Sequence, residues 1–135
     1  MLESAAAARY TLNRNTTATP GELLLALYDG LFRFLNGAKV CIENKQLPRA
    51  RELLSKAHAI VSELTIALDH SVAPELCAQL EGLYGFCIDK IQFATRKADV
   101  VAIQEVVRVL TPLREAWVIA VPKAIQEAYA AQKKA

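Results

Sequence analysis

Hydrophobic positions recur every three or four residues along most of this chain. Between Leu23 and Ile42 they form two neighbouring rows. One reads Leu23, Leu27, Gly30, Phe34, Gly37, Cys41; the other reads Leu24, Tyr28, Leu31, Leu35, Ala38, Ile42; both are spaced 4, 3, 4, 3, 4. Such spacing winds an apolar stripe along one side of an α-helix. The helix start is written just before it. In Thr19-Pro20-Gly21-Glu22 the Thr side chain can accept from the third helical residue and the Glu can reach back, with Pro20 where its missing N–H costs nothing. This helix runs to about Glu43.

After a polar break at 44–47, Pro48 opens a second helix. Its inward row is Leu53, Ala57, Ile60, Leu64, Ala67, flanked by Leu54, Val61 and Leu68, and Asp69-His70-Ser71 ends it. Pro74 opens a third, with Leu76, Leu80, Leu83, Cys87 and Ile91 expected inward. Asp99 caps a fourth, whose inward row is Ile103, Val106, Leu110, Leu113 and Trp117. Pro112 removes the bond to the Arg108 carbonyl and predicts a kink, and Pro122 is expected to end the bundle. Short links favour antiparallel neighbours. The expected fold is all-α: an antiparallel up-down four-helix bundle in one domain, residues 1–135. Its helices cover 19–43, 48–69, 74–97 and 99–120. A mobile N-terminal arm covers 1–16, and a loose C-terminal extension covers 121–135.

Composition narrows the chemistry. The 135 residues suffice for one domain with a real core. Sixteen basic and 14 acidic residues leave a net charge of +2, scattered rather than clustered, which argues against a nucleic-acid surface. The longest apolar runs, Leu23–Tyr28 and Ala116–Val121, fall far short of the ~20 residues of a membrane span. The first residues show no basic region followed by an apolar core, so no secretory signal is expected. Cys41, Cys77 and Cys87 sit among apolar neighbours without ligand spacing, which suits buried thiols in a reducing cytosol. No phosphate loop, nucleophile elbow or paired-histidine metal motif is present, so no cofactor, metal or catalytic residue is expected. His58, on the second helix, raises a phosphotransfer reading, but Val61 and Ser62 stand where such domains carry Lys and then Gly. Asp29 and Arg33 read as an i, i+4 surface pair.

The five glycines all fall at helix starts or inside helices. A mid-helix glycine costs ~1 kcal/mol against alanine, so something should want the missing side chain. Gly30 and Gly37 lie on one row. Two readings stay open: that row packs on a second helix of the bundle, or it is a notched groove for a foreign segment.

Several stretches resemble the flagellin-specific export chaperones of the FliS family. They are Tyr10 in the arm, Thr17-Ala18-Thr19-Pro20, and Leu27-Tyr28-Asp29-Gly30. Further along come Lys56-Ala57 with Ile60 to Leu64, Leu68-Asp69, Leu80 to Tyr84, Asp99 with Glu105-Val106, and Glu115-Ala116-Trp117. The resemblance spans about residues 10–123. Val72-Ala73-Pro74 replaces the usual Gly-Gly, Phe86 stands for a Tyr, and Pro112 is unusual. The resemblance implies a cytoplasmic, non-enzymatic bundle. It would bind the disordered C-terminal segment of flagellin, prevent premature polymerisation and aid delivery to the flagellar export gate. It would be a monomer or weak dimer, with no membrane insertion. The partner-binding residues expected on that reading are Tyr10, Pro20, Leu23, Leu27, Tyr28, Gly30, Phe34 and Gly37. The rival readings are a structural helical module that self-associates and a histidine phosphotransfer bundle.

Overall fold

The computed structural model describes residues 18–134. The arm and Tyr10 lie outside the described residues. Four helices follow in order: α1 (Pro20–Glu43), α2 (Leu47–Ile66), α3 (Pro74–Lys97) and α4 (Val100–Lys134). Each packs on its neighbours in sequence, and α4 returns to α1, closing a ring of four antiparallel helices. No described helix is long and apolar enough to cross a membrane.

The capping box forms as the sequence implies. The Glu22 N–H donates to Thr19 Oγ1 and the Thr19 N–H donates to Glu22 Oε1, both at 3.2 Å. At the other end Lys45 adopts a left-handed φ of 60°, and its N–H and that of Gln46 donate to the Ile42 and Cys41 carbonyls of the last turn. Ala98, at φ 51°, turns the chain between α3 and α4. Asp99 then caps α4 by accepting from the Ala102 N–H at 3.1 Å.

The core takes Tyr28, Leu31, Leu35 and Ala38 from α1, and Leu53, Leu54, Ala57, Ile60, Val61 and Leu64 from α2. From α4 it takes Ala102, Ile103, Val106 and Leu110. Leu113 and Trp117 are only half-buried beside it. In α3 the inward stripe is Cys77, Leu80, Tyr84, Cys87, Ile91 and Ala94. The stripe is rotated from the expected one. Leu80, Cys87 and Ile91 are inside as read, but Leu76 and Leu83 face solvent. The reason is Tyr84, whose hydroxyl meets that of Tyr28 across the bundle at 2.7 Å. That partner removes the cost of burying a polar group, and the ring then fills the core.

The fourth helix also departs from expectation. It does not stop at Pro122 but continues to Lys134 through both prolines. Pro112 and Pro122 are exposed, as are Arg108 and Val118, whose carbonyls lose their helical donors. Water can serve those carbonyls, so the helix survives. Asp29 does not pair with Arg33. It accepts from Arg114 on α4, with both Nε and Nη2 at 2.7 Å, and thereby ties α1 to α4.

Candidate functional site

The glycine row of α1 is a bundle contact and not a groove. A Cβ on Gly37 would lie 3.2 Å from Leu53 Cδ1, and one on Gly30 would lie 3.5 Å from Ile60 Cδ1, both on α2. Phe34, on the same row, is half-buried with the Lys56 ammonium of α2 and the Arg33 guanidinium each 5.6 Å from its ring centre. The missing side chains let α1 and α2 approach closely. Of the residues expected to meet a partner, Gly30 is buried and Gly37 is pressed against Leu53, so both are corrected to bundle contacts. Tyr28 is 0% exposed and hydrogen-bonded to Tyr84, so it is a core residue. Leu23, Leu27 and Phe34 are half-buried. Pro20 is exposed, at the start of α1.

Burial raises the Tyr28 and Tyr84 hydroxyls above the usual tyrosine range. For Tyr28 this is partly offset by hydrogen bonding from Tyr84 and by the nearby Trp117. The Trp117 indole N–H is itself buried, but it meets no acceptor in good hydrogen-bond geometry. Its proximity to Tyr28 is therefore a weak polar contact rather than a formed bond. The Cys87 thiol, close to both tyrosines, is pushed up by burial to about 12. None of these groups ionises near neutral pH or reaches solvent, so this buried cluster is a structural pin and not a reaction centre.

An open apolar surface exists elsewhere, where α4 crosses the start of α1. Arg114 on Asp29 and Val121 on Gly21 set the antiparallel register of the two helices. A Cβ on Gly21 would come within 2.7 Å of Val121 Cγ1, so this crossing requires glycine. Past it, the turns of α4 from Pro122 onward run beyond the first residue of α1. At 1.5 Å per residue they add about 20 Å of helix. Two grooves flank that extension. One, of about 610 Å³, lies among Glu22, Leu25, Val121, Pro122, Ile125 and Tyr129. The other, of about 440 Å³, lies on the side of Thr19, Pro20, Ala124, Ala128 and Gln132.

Val121 is buried in the crossing, whereas Tyr129 is 59% exposed, with the Lys133 ammonium 4.8 Å from its ring centre. The surface offers apolar side chains, the amides of Gln126 and Gln132, the Glu22 carboxylate and the Lys133 ammonium beside Tyr129. It holds no nucleophile–base pair and suits an amphipathic peptide. Among the expected partner residues that are described, Pro20 alone lines it. Sequence reasoning missed Leu25, Val121, Ile125 and Tyr129. The spacing of 4 from Val121 to Ile125 to Tyr129 is a helical stripe in its own right, hidden by reading Pro122 as a stop.

Comparison with known proteins gives one consistent result. The family model described as "Flagellar protein FliS" matches residues 2–124. The chain is 37% identical over 108 residues to the flagellar secretion chaperone FliS of Bacillus subtilis (strain 168), covering 80% of each protein. It is 32% identical to the protein of the same name from Campylobacter jejuni, covering 80% of this chain and 84% of that one. A solved structure titled "Crystal structure of flagellar chaperone from bacteria" superposes with a TM-score of 0.73 at 25% identity, over 90% of this chain and 98% of that one.

Proposed function

The chain belongs to the FliS family, and from that premise we propose that its client is the disordered C-terminal segment of flagellin, seated where α4 crosses the start of α1. The protein is a flagellar secretion chaperone and not an enzyme. The rival readings, a phosphotransfer bundle through His58 and a purely structural module, have no support from these relatives. The finer reading is that it works in the cytoplasm, keeps flagellin from polymerising early and aids its delivery to the export gate.

The observation that carries the site is the apolar stripe of the α4 extension, in which Val121 is buried in the crossing while Ile125 is half-buried and Tyr129 exposed among the described residues, with grooves on both sides. A disordered tail that folds on binding needs such a surface to offset its ordering entropy. The chain N-terminal to Ala18 leaves from the rim formed by Thr19 and Pro20. On this reading Tyr10 shares in client binding or competes for the same groove.

Calorimetry with a flagellin C-terminal peptide tests the assignment. Ile125→Glu, at a half-buried position outside the core, is expected to weaken binding at least tenfold, ~1.4 kcal/mol, and to leave the melting temperature in place. Removing residues 1–15 is expected to change the affinity, upward if the arm only competes. A peptide that binds Ile125→Glu as well as it binds the natural chain shows that the client sits on another surface.

A further inference from the structure

Basic residues that are scattered along the sequence are gathered by the fold at one end of the bundle. Arg51, near the start of α2, donates through Nε to the Thr95 carbonyl of α3 at 3.3 Å. Ile42, Ala50, Ala94 and Ala98 close round the same spot, so the α1–α2 link and the α3–α4 turn lie side by side. Residues 43–52 and 95–99 carry five basic and three acidic side chains, and so hold the whole +2 net charge of the chain. Two of the three acids are engaged: Glu52 holds Arg49 at 2.8 Å, and Asp99 accepts from the Ala102 N–H. The third, Glu43, is exposed at the end of α1. Lys45, Arg51, Arg96 and Lys97 are exposed and make no ion pair among the described residues.

Helix stability does not account for this set. Arg96 and Lys97 suit the negative end of the α3 dipole, but Arg49 and Arg51 stand near the start of α2, where the dipole disfavours cations. Lys45 and Ala98 are the non-glycine residues with left-handed φ among the described residues, and both lie at this end. Glycine would make the turn at position 45 at lower cost, so a lysine there serves something other than the turn. An apolar pair stands beside the cations. Lys90 on Glu105 at 2.8 Å sets the register of α3 against α4. One turn nearer the end from each of these stand Phe93 and Val101, both exposed. Arg96 and Lys97 lie one turn on from Phe93, on the same side of the helix.

We propose that this end of the bundle binds an acidic, amphipathic protein segment. Its carboxylates pair with Lys45, Arg51, Arg96 and Lys97, and an apolar side chain between them settles on Phe93 and Val101. Arg51 spends only Nε on Thr95, which leaves both Nη groups for a carboxylate. Four unpaired cations fall short of the ~6–10 phosphate contacts of a DNA-binding protein, and an exposed apolar pair adds nothing to a phosphate surface. The α4 crossing lies at the other end of α1, whose 24 residues span about 36 Å. The two surfaces are separate, and this assignment stands or falls independently of the client assignment.

Fluorescence anisotropy of a labelled peptide of repeated Glu-Glu-Leu, titrated with the full chain at low salt, tests the proposal. Saturable binding that weakens as salt rises is expected. Arg96→Glu is expected to weaken it at least tenfold, about 1.4 kcal/mol. Lys45→Gly is expected to weaken it while keeping or raising the melting temperature, a combination that a purely structural lysine would not give. Lys123→Glu changes the net charge as much as Arg96→Glu but lies on the α4 extension, and is expected to leave binding unchanged. A peptide that fails to bind overturns the proposal, as does one that Arg96→Glu weakens no more than Lys123→Glu. Tighter binding of a single-stranded DNA oligonucleotide, or of phosphatidylglycerol vesicles, than of the peptide also overturns it, because the end is then a phosphate surface.

Discussion

Two pairs of mid-helix glycines, Gly30 and Gly37 on α1 and Gly82 and Gly85 on α3, look alike in the sequence and are opposites in the fold. The α1 pair lies against α2, with Ile60 and Leu53 in the space that side chains would fill. The α3 pair faces open space. Glycine carries the same intrinsic helix cost in both places. What differs is whether the bundle recovers that cost through closer packing. On α1 it does, and the row is thereby part of the core's flank. On α3 it does not, and the vacant side chains belong to a surface. A glycine in a helix thus signals close approach without saying whether the approaching group is internal or external.

The largest expected effect tests the internal half of this comparison. At position 37 even a Cβ would press on Leu53 Cδ1 at 3.2 Å, so Gly37→Leu is expected to overpack the α1–α2 contact and destabilise by ~1–3 kcal/mol. Urea denaturation at equilibrium measures it. A Gly37→Leu chain as stable as the natural one would mean that α1 and α2 separate at little cost and that the row is open after all.

Next comes the pin that fixes which face of α3 points inward. Tyr84→Phe leaves the buried Tyr28 hydroxyl without its partner and is expected to cost ~1–3 kcal/mol. The same cluster sets an alkaline limit. Folding raises the pKa of Cys87 from its ordinary 9.0 to about 12 and raises both tyrosines above their ordinary 10.0. The unfolded chain therefore loses these protons first. Their contribution is complete below pH 9 and is lost progressively as pH rises from there through the folded-state values. Denaturation midpoints should be flat from neutrality to about pH 9 and fall beyond it, and Cys87→Ala should remove the earliest part of that fall.

These residues also mark how far the fold was legible from sequence. The Thr19 capping box, the Asp99 cap and most of the rows of α2 and α4 follow from local spacing and form as read, but Ala67 lies exposed past the end of α2, and Leu113 and Trp117 are only half-buried. The orientation of α3 does not follow from local spacing. Leu76–Leu83 and Tyr84–Ile91 are both helical stripes, about 100° apart, and local pattern cannot rank them. The deciding contact, Tyr84 on Tyr28, joins residues 56 apart in sequence. Asp29 presents the same problem. Its local partner Arg33 is visible in the sequence, and its actual partner Arg114 comes from the far end of the chain. At the α4 extension a correct rule leads to the wrong boundary. Proline does remove a helical hydrogen bond, but Pro122 and Val118 are exposed, where water can serve the freed carbonyl. The candidate groove lies past that boundary and was lost with it.

A smaller effect, of opposite sign to that at Gly37, tests the external half. Gly82→Leu adds a good helix former where nothing stands within 4 Å, and is expected to stabilise the monomer by just under ~1 kcal/mol. Destabilisation by Gly82→Leu would show that the outer side of α3 is covered within the chain. The comparison between the two glycine pairs would then fail.

The smallest effect lies inside the α1 pair and sharpens the comparison most. Gly30 and Gly37 share a row, but their spaces differ. A Cβ at 37 meets Leu53 at 3.2 Å, tighter than an ordinary contact, whereas a Cβ at 30 meets Ile60 Cδ1 at 3.5 Å and the end of the Arg33 side chain at 3.9 Å, both ordinary van der Waals distances. Gly30→Ala therefore adds one methyl group in good contact. It removes a glycine from the helix interior, worth up to ~1 kcal/mol, partly offset by small adjustments of Ile60. The expected result is a gain of ~0.5 kcal/mol, against little or no gain for Gly37→Ala, where Leu53 must give way. If the two alanine variants are equally stabilised, Leu53 yields freely and the tight approach at 37 has no energetic weight. If both are destabilised, the α1–α2 flank has no slack anywhere along the row, and closeness of packing there outweighs helix propensity at every glycine.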